Sequence, residues 1–347
     1  MSNIRDARIW AFILALVFGI VAGSPVSAQS DATPAASPQA VGGVESAVSW
    51  LLNQQTEGGG FPGFSGEPDP GTTIDAIFAL VAAESYGIDT ATSIQDANAY
   101  LESDDIALDY AETGVGQAAK LLLALNTLGL EPTNLATGAL VDIVLAGQDE
   151  STGVYGFGPF DHALAMLALS ASGETIPDSA ITALESTQAA NGGWGFEGGT
   201  DDAAADSNTT SMVIQALAAS GQPDNGMTES GLAYLETVVS EEGGAAYNDD
   251  PASLVDSNST ALVAQAVIAT GGDPTSDDWG DLITSLLGFQ NADGSLFFQD
   301  SAPDPNLFST VQAVPALVGV ALPIPAVSGD LSTPVGLVPF DSWNLAA

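Results

Sequence analysis

Apolar residues along this chain recur at helical spacing in two alternating kinds of segment. The first kind is apolar on most sides and contains an alanine followed by leucine or valine. The six pairs are Ala79-Leu80, Ala124-Leu125, Ala168-Leu169, Ala216-Leu217, Ala266-Val267 and Ala316-Leu317. They are separated by 45, 44, 48, 50 and 50 residues. Six copies at one period indicate a protein built by repeating one helical unit.

A shorter helical pattern precedes each apolar segment. These shorter segments span 44–52, 94–101, 135–145, 180–184, 231–239 and 282–289. Four of the apolar segments are followed by a glycine, where a left-handed residue commonly ends a helix. Alternating patterns typical of strands are short and interrupted by glycine. The sequence therefore predicts an all-α fold with twelve helices in six hairpins.

Six helical hairpins can stack as an open solenoid or close into an α/α toroid, with an inner and an outer ring of six helices each. An open solenoid needs a polar capping repeat at its end. The last copy instead ends in Pro323-Ile324-Pro325, with no such repeat. We therefore predict a closed α/α toroid over residues 44–325, followed by a C-terminal tail at 326–347.

The N-terminus has the order of a secretory signal peptide. Arg5 and Arg8 precede an apolar run at 9–22, and small residues lead up to Ala28, after which we expect cleavage. The alternative is a retained membrane anchor, although the apolar run is shorter than the roughly twenty residues of a spanning helix. Residues 29–43 are rich in Ala, Pro, Ser and Gly and are predicted to be a flexible linker. The mature protein is expected to be secreted or associated with the cell envelope.

The charge balance narrows the choice of partners. The chain has 3 Lys and Arg against 44 Asp and Glu, a formal net charge of −41. So few cations exclude nucleic acid and anionic membrane surfaces as partners, because both present phosphates. A hydrophobic content of 46% still provides a core, and no cysteine is available for disulfides. The sequence does not determine the oligomeric state.

The loops between repeats carry a recognisable motif. Gln188 to Trp194 fits the QxxxGxW repeat of squalene and oxidosqualene cyclases, and 55–61 fits it with phenylalanine in place of tryptophan. Looser copies at 148–155 and 290–297 have one extra residue before the aromatic residue. Over residues 44–323 the chain thus resembles the superfamily of terpene cyclases and protein prenyltransferases, which are α/α toroids. The resemblance implies that the Gln and aromatic residues tie the end of an outer helix to the next helix.

The catalytic motifs of that superfamily are missing. No DxDD motif, which supplies the acid of triterpene cyclases, occurs in the chain. The zinc site of the prenyltransferases requires a cysteine, and this chain has none. A DDxxD match at 277–281 is interpreted as the acidic first turn of an outer helix, where carboxylates suit the helix dipole. The resemblance therefore implies the fold of the superfamily but none of its known catalytic activities.

Polar residues on the apolar helices are the candidates for ligand binding. If these helices form the inner ring, residues three and four apart share a face that points to a central cavity. The candidates are Asp75, Lys120, His162, Gln215, Gln265 and Gln312. Asp75 and Lys120 form either a structural ion pair or a site for the polar end of a ligand. His162, the only histidine, is either a partly exposed residue at a helix start or an acid-base catalyst.

Two acidic loops precede inner helices and give candidate calcium ligands. They contribute Asp201, Asp202 and Asp206 in the first loop, and Asp249, Asp250 and Asp256 in the second. The alternative, that these residues cap the helices that follow, explains the Ser, Thr and Asn residues beside them. The carboxylate oxygens of these loops are ligands that calcium prefers, and no other cofactor is expected.

Three functions follow as hypotheses. The first is an exported, non-catalytic toroid domain that binds a small apolar ligand or an envelope partner. The second is a squalene cyclase-like enzyme acting on an apolar isoprenoid, with Asp75 or a loop aspartate as its acid. The third is a purely structural envelope protein with a filled interior.

Overall fold

The computed structural model of the protein describes residues 38–129, 135–223 and 225–326. The predicted signal peptide, most of the predicted linker and all but the first residue of the predicted tail lie outside these ranges. The described residues contain thirteen α-helices. In chain order they are α1 (Pro38–Leu52), α2 (Pro70–Tyr86), α3 (Ala91–Glu102), α4 (Ile106–Ala111), α5 (Val115–Thr127), α6 (Leu135–Ala146), α7 (Pro159–Ala171), α8 (Asp178–Thr187), α9 (Ser207–Ala219), α10 (Gly226–Val238), α11 (Ser257–Ala269), α12 (Leu282–Gly288) and α13 (Leu307–Leu317).

Six of these helices, α2, α5, α7, α9, α11 and α13, form an inner ring. Each packs against the next, and α13 packs against α2, so the ring is closed. The alanine of every Ala-Leu or Ala-Val pair is buried, which lets neighbouring helices approach closely. The start of α9 is bonded to the loop before α11 through Ser207 N–H and the carbonyl oxygen of Tyr247, 2.8 Å apart. Helix starts therefore lie together at one end of the ring, called here the N-terminal end.

The outer ring consists of α1, α3, α6, α8, α10 and α12. An outer helix buries one face only, as α8 does with Ala180, Ala183 and Leu184, whereas α9 is buried from Ser207 to Leu217. Helix α1 packs against α12, α13 and α2, and so fills the last place in the outer ring. None of the helices in the described ranges combines the length and apolar character needed to cross a bilayer.

Glutamines in the loops join successive repeats. Gln188 Nε2 donates to the carbonyl oxygen of Gly192 in its own loop, at 2.8 Å, and to that of Met227 in α10, at 3.0 Å. Gln290 in the last such loop donates to its own Gly294 and to Gly43 in α1, at 2.9 and 2.8 Å. The bond to Gly43 connects the last repeat to the first helix. The predicted closed α/α toroid is thus confirmed.

Ring closure can be tested through Gln290. Gln290→Leu should lower the free energy of unfolding by about 1–2 kcal/mol, because it removes two hydrogen bonds and leaves two carbonyl oxygens without a donor. Gln188→Leu removes the same pair of bonds inside the ring and serves as the matched variant. Urea unfolding of both should give similar losses; a negligible loss for Gln290→Leu alone would indicate that the ring is open at this point.

The structure differs from the predicted helices at two places. Helix α4 was not predicted, so the described residues hold thirteen helices rather than twelve. Its six residues are too few to show a helical period, and only Ala107 and Ala111 are buried. Helix α1 begins at Pro38, inside the predicted linker 29–43. Proline is favoured in the first turn of a helix, and the small residues after it gave no periodic signal.

The segment 320–326 closes one end of the inner ring. After α13 it reaches α9, where Leu322 N–H donates to Gln215 Oε1 at 2.9 Å. It also passes α5, where a Cβ on Gly129 would lie 3.7 Å from that of Ala326. Because α9 and α5 are each two places from α13 in opposite directions around the ring, the segment crosses the ring axis. Ile324, within this segment, is buried, so the N-terminal end is the accessible one.

Candidate functional site

An ion pair stands on the inner ring, as the sequence predicted. Lys120 Nζ on α5 lies 2.7 Å from Asp75 Oδ1 on α2 and donates to the carbonyl oxygen of Gly71 at 3.1 Å. The side chains of Lys120 and Asp75 are 19% and 27% exposed, so water reaches the pair. Burial raises the pKa of Asp75, and the neighbouring ammonium group opposes that rise.

The surroundings of the pair are apolar at its own level and acidic one turn nearer the N-terminal end. Equivalent positions on other inner helices hold Leu164, Met212 and Leu262, all buried. One turn nearer the N-terminal end, the residues above Asp75 and Lys120 are Gly71 and Gly116. Both glycines are buried, and a Cβ on Gly116 would collide with the carboxylate of Asp161, so Asp161 packs against α5 on that side.

Helix α4 brings a tyrosine to this end, near the carboxylates of Asp69, which caps α2, and Asp161, which lies in α7. Burial raises the pKa of Tyr110 well above its ordinary value, and the carboxylates of Asp75, Asp69 and Asp161 raise it further. Burial also raises the pKa of Asp161, whose Oδ2 accepts a hydrogen bond from Phe157 N–H at 3.1 Å. Three carboxylates, those of Asp75, Asp69 and Asp161, therefore lie near Tyr110. Sequence reasoning missed Tyr110, because the short helix that carries it gives no periodic signal.

Aromatic side chains lie at the same end of the ring. Phe64, in the loop before α2, stacks on Phe308 in the first turn of α13 with ring centroids 3.9 Å apart. Phe64 is 60% exposed. Phe160, in the first turn of α7, is half-buried against Phe196. This end of the ring thus carries exposed apolar surface.

Two of the three predicted glutamines bind the protein's own backbone. Gln215 Oε1 accepts the hydrogen bond from Leu322, and Gln265 Nε2 donates to the carbonyl oxygen of Gln312 at 3.0 Å. Gln312 Oε1 is buried without a hydrogen-bond partner among the described residues. Gln215 and Gln265 are therefore structural, which corrects their assignment as cavity ligands.

His162 is a structural residue that joins α7 to α8 rather than a ligand-binding residue of the central cavity. It is 1% exposed, so the expectation of a partly exposed side chain is corrected. Its Nδ1 accepts a hydrogen bond from Tyr155 N–H at 2.8 Å, so Nε2 carries the proton and donates to the carbonyl oxygen of Ala180 at 3.0 Å. Burial lowers its pKa to about 4, which keeps the ring neutral. With both nitrogens engaged, it cannot act as an acid or a base.

The same hydrogen bond recurs in other repeats with a threonine as acceptor. These acceptors are Thr73, Thr210, Thr260 and Thr310. Each stands seven residues before the second residue of its Ala-Leu or Ala-Val pair, as His162 does. This column was visible in the sequence and would have identified the role of His162.

The candidate calcium ligands are distributed as helix caps and exposed loop residues. Asp206 and Asp256 are 2% exposed, and their Oδ1 atoms accept hydrogen bonds from the N–H groups of Thr209 and Ser259 at 2.7 Å. The other four are Asp201, Asp202, Asp249 and Asp250, all exposed. Over the described ranges, no three His, Cys, Asp or Glu side chains are grouped so that they could hold a metal. The structure therefore supports capping and does not assemble either calcium set.

These two buried caps predict a dependence of stability on pH. Burial raises the pKa of Asp206 and of Asp256 from 3.8 to about 6. Between these values the folded state binds more protons than the unfolded state, so stability should rise as pH falls from 7.5 to 5, by about 1–1.5 kcal/mol for each residue. Calorimetry at both pH values should show the higher Tm at pH 5. Asp206→Asn keeps a capping oxygen and should reduce the difference; an unchanged difference would exclude Asp206 as its source.

Comparison with known proteins supports the fold. No protein-family model matches this sequence, and no curated protein matches it. Solved structures do match. A type II terpene cyclase, MstE from Scytonema, is 18% identical with a TM-score of 0.58, covering 81% of this chain and 98% of that one. The chain shares the helical toroid fold.

Proteins of this fold bind unlike molecules. A variant of the same cyclase, solved with its substrate geranylgeranyl dihydroxybenzoate, is 18% identical with a TM-score of 0.59, over 81% of this chain and 97% of the other. A glycosidase variant in complex with glucose is 13% identical with a TM-score of 0.55, over 82% and 98%. At such identities the likeness shows the fold alone, and function depends on the residues of the site.

Proposed function

We propose that this protein is an exported, non-catalytic toroid module that binds a small ligand with an apolar body at the N-terminal end of its inner ring. The observation that carries the proposal is the Asp75–Lys120 pair, which remains open to water inside a ring whose other side chains at that level are largely buried. A few polar groups amid apolar surface are typical of small-molecule sites.

The surroundings of the pair define the ligand further. An apolar body would lie against Phe64 and Phe308, and a polar end would reach Lys120. Lys120 is already paired with Asp75, and Asp69 and Asp161 add negative charge around Tyr110, which lies near Asp75. A phosphate or diphosphate would therefore be repelled, and we expect the polar end to be uncharged or cationic.

Native mass spectrometry of the protein secreted by its own host tests this proposal. The wild type should carry extra mass that is released on denaturation, and a variant with both Asp75→Leu and Lys120→Met should lose it while remaining folded. Mass that a chelator alone removes would indicate a metal instead. A bare chain in all spectra would contradict the proposal and favour a purely structural envelope protein, for which the buried Leu164, Met212 and Leu262 already provide a filled interior at their level.

Export is tested by the same spectra. Residues 1–28 lie outside the described ranges, so the signal peptide remains a sequence prediction. The secreted chain should begin at Gln29, one residue after Ala28. A chain that retains residues 1–28 and fractionates with membranes would instead indicate the anchor.

A cyclase-like enzyme is the second candidate, and one observation favours it. Burial raises the pKa of Asp75, a partly accessible carboxyl group inside the ring, which is a property of acid catalysts. The contact with Lys120 opposes this role because it stabilises the ionised carboxylate. Turnover of squalene or of a polyprenyl diphosphate by the purified protein, abolished by Asp75→Asn, would support the enzyme and overturn the non-catalytic proposal.

A further inference from the structure

A separate cavity of about 170 Å³ lies at the periphery of the toroid, between the start of α7 and the second half of α8. Its wall is mainly apolar and includes Pro159, Ala183 and Leu184. An apolar cavity of about 150 Å³ can hold a benzene molecule. This cavity is therefore large enough for one aromatic ring.

Two glycines allow the backbone segments around this cavity to lie close together. Four other inner helices begin at an Asp or Asn cap, whereas α7 begins at Gly158. A Cβ at Gly158 would collide with the carbonyl oxygen of Phe196, so glycine allows the loop 196–198 to approach α7. Gly198, at φ +75°, faces Pro159 and Thr187 without a side chain. The cavity is thus shaped by close backbone contacts.

The electrostatic character of the cavity is negative. Glu197, an exposed residue, is the carboxylate in its lining. The one Lys or Arg in the described ranges, Lys120, is paired with Asp75 on the inner ring. His162 in the wall is neutral, because burial lowers its pKa to about 4. No cation of the described chain therefore neutralises Glu197.

Aromatic rings stand beside this carboxylate. Phe157 lines the cavity, and its ring centroid lies 6.1 Å from that of Phe196, which in turn lies 6.1 Å from that of Phe160. The faces of aromatic rings attract ammonium groups, and a nearby carboxylate adds to that attraction. An apolar cavity, aromatic faces and a carboxylate without a counter-charge together fit a ligand that has an aromatic ring and a positive charge.

We propose that this cavity is a second binding site, which accepts an arylalkylammonium ion with its aromatic ring in the hollow and its ammonium group at Glu197. The site is independent of the Asp75–Lys120 pair. Molecules of the same shape but with an anionic end are excluded by Glu197 and by the net charge of −41. Neutral molecules of that shape retain only the apolar contact.

Three probes of similar shape test the proposal: 2-phenylethylammonium, 2-phenylethanol and 3-phenylpropanoate. Calorimetric titration of the chain 29–347 at low ionic strength should show the ammonium ion binding roughly 3- to 10-fold more tightly than the alcohol, with the carboxylate weakest. Glu197→Gln should reduce the affinity for the ammonium ion to that for the alcohol. Glu185→Gln removes an exposed carboxylate of α8 that does not line the cavity, and should change nothing.

A second pair of variants locates the probe. Thr187 lines the cavity, and its hydroxyl bonds only to carbonyl oxygens of its own helix. Thr187→Leu should fill the hollow and abolish binding of the ammonium ion and the alcohol, whereas Thr187→Val has the shape of threonine and should preserve binding. The proposal is overturned if no probe binds, if binding survives Thr187→Leu, or if Glu197→Gln leaves the preference for the ammonium ion intact.

Discussion

Replacing Gly192 with alanine should lower the free energy of unfolding by at least about 3 kcal/mol. Gly192 has φ +93°, in the left-handed region that L side chains rarely adopt, and a Cβ there would collide with the carbonyl oxygen of Ser230 in α10. The collision is with backbone, so no side-chain rotation can relieve it. Urea unfolding monitored by circular dichroism measures the loss.

Gly221→Ala is the matched control for this prediction. Gly221 has φ +81°, but nothing lies within 4 Å of a Cβ built there. Its replacement should cost about 1 kcal/mol, the penalty of the backbone conformation alone. Equal losses of stability for the two variants would contradict the prediction, because they would show that the close contact with Ser230 in α10 adds no cost.

The same glycine recurs in the loops around the ring. Each of these glycines has a positive φ and abuts a backbone carbonyl in the next outer helix or, for Gly243, the carbonyl of Gly280 just before that helix: Gly59, Gly153, Gly192, Gly243 and Gly294. For Gly294 that carbonyl belongs to Ser46 in α1, the first helix of the chain. Gly294→Ala should therefore be about as damaging as Gly192→Ala, which would confirm that the junction of last and first repeats is as tight as the others.

Lys120→Met should lower the free energy of unfolding by about 2–3 kcal/mol. Methionine fills a similar volume, but Asp75 is left part-buried without its counter-charge. Removing one partner of a fully buried pair costs about 3–5 kcal/mol, and the partial exposure of this pair reduces that figure. Thermal unfolding at pH 7.5 gives the magnitude, and the loss should diminish as the pH is lowered and Asp75, whose pKa is raised by burial, takes up a proton.

The double variant separates structure from function at this pair. Asp75→Leu together with Lys120→Met removes both charges and should restore most of the lost stability, since replacing a whole pair with apolar residues is often neutral. Binding at the N-terminal end of the ring should nevertheless stay lost. A double variant as unstable as Lys120→Met alone would mean that the lysine stabilises the ring by packing and by its bond to Gly71.

Much of the fold could be predicted because it is encoded in local spacing. The Ala-Leu and Ala-Val pairs mark the inner helices, and their alanines are buried where those helices meet. The loop glutamines mark the joints between repeats, as the bonds of Gln188 show. The DDxxD match has only part of its expected place: Asp281 caps α12 through Thr284 N–H at 2.9 Å, whereas Asp277 and Asp278 lie in a short 3-10 turn before that helix. The short helix α4 lacked such a signal.

Prediction of the candidate site was less complete. The Asp75–Lys120 pair could be found because two charged residues shared one column of otherwise apolar positions. His162 was placed wrongly because a buried imidazole can replace a threonine as hydrogen-bond acceptor, and residue type alone does not reveal that exchange. Gln215 was placed wrongly because its partner, Leu322, is 107 residues away in the chain.

The sequence by itself determined the number of repeats, the order of their helices and the residues that join them, because these depend on spacing within about fifty residues. The tertiary structure alone decided which end of the ring is open, where Tyr110 lies and where the peripheral cavity forms. These features arise from contacts between distant parts of the chain, such as segment 320–326 crossing the ring axis and Gln290 meeting Gly43 across 247 residues. Such contacts depend on how far the chain turns in total over six hairpins. No single repeat specifies that total.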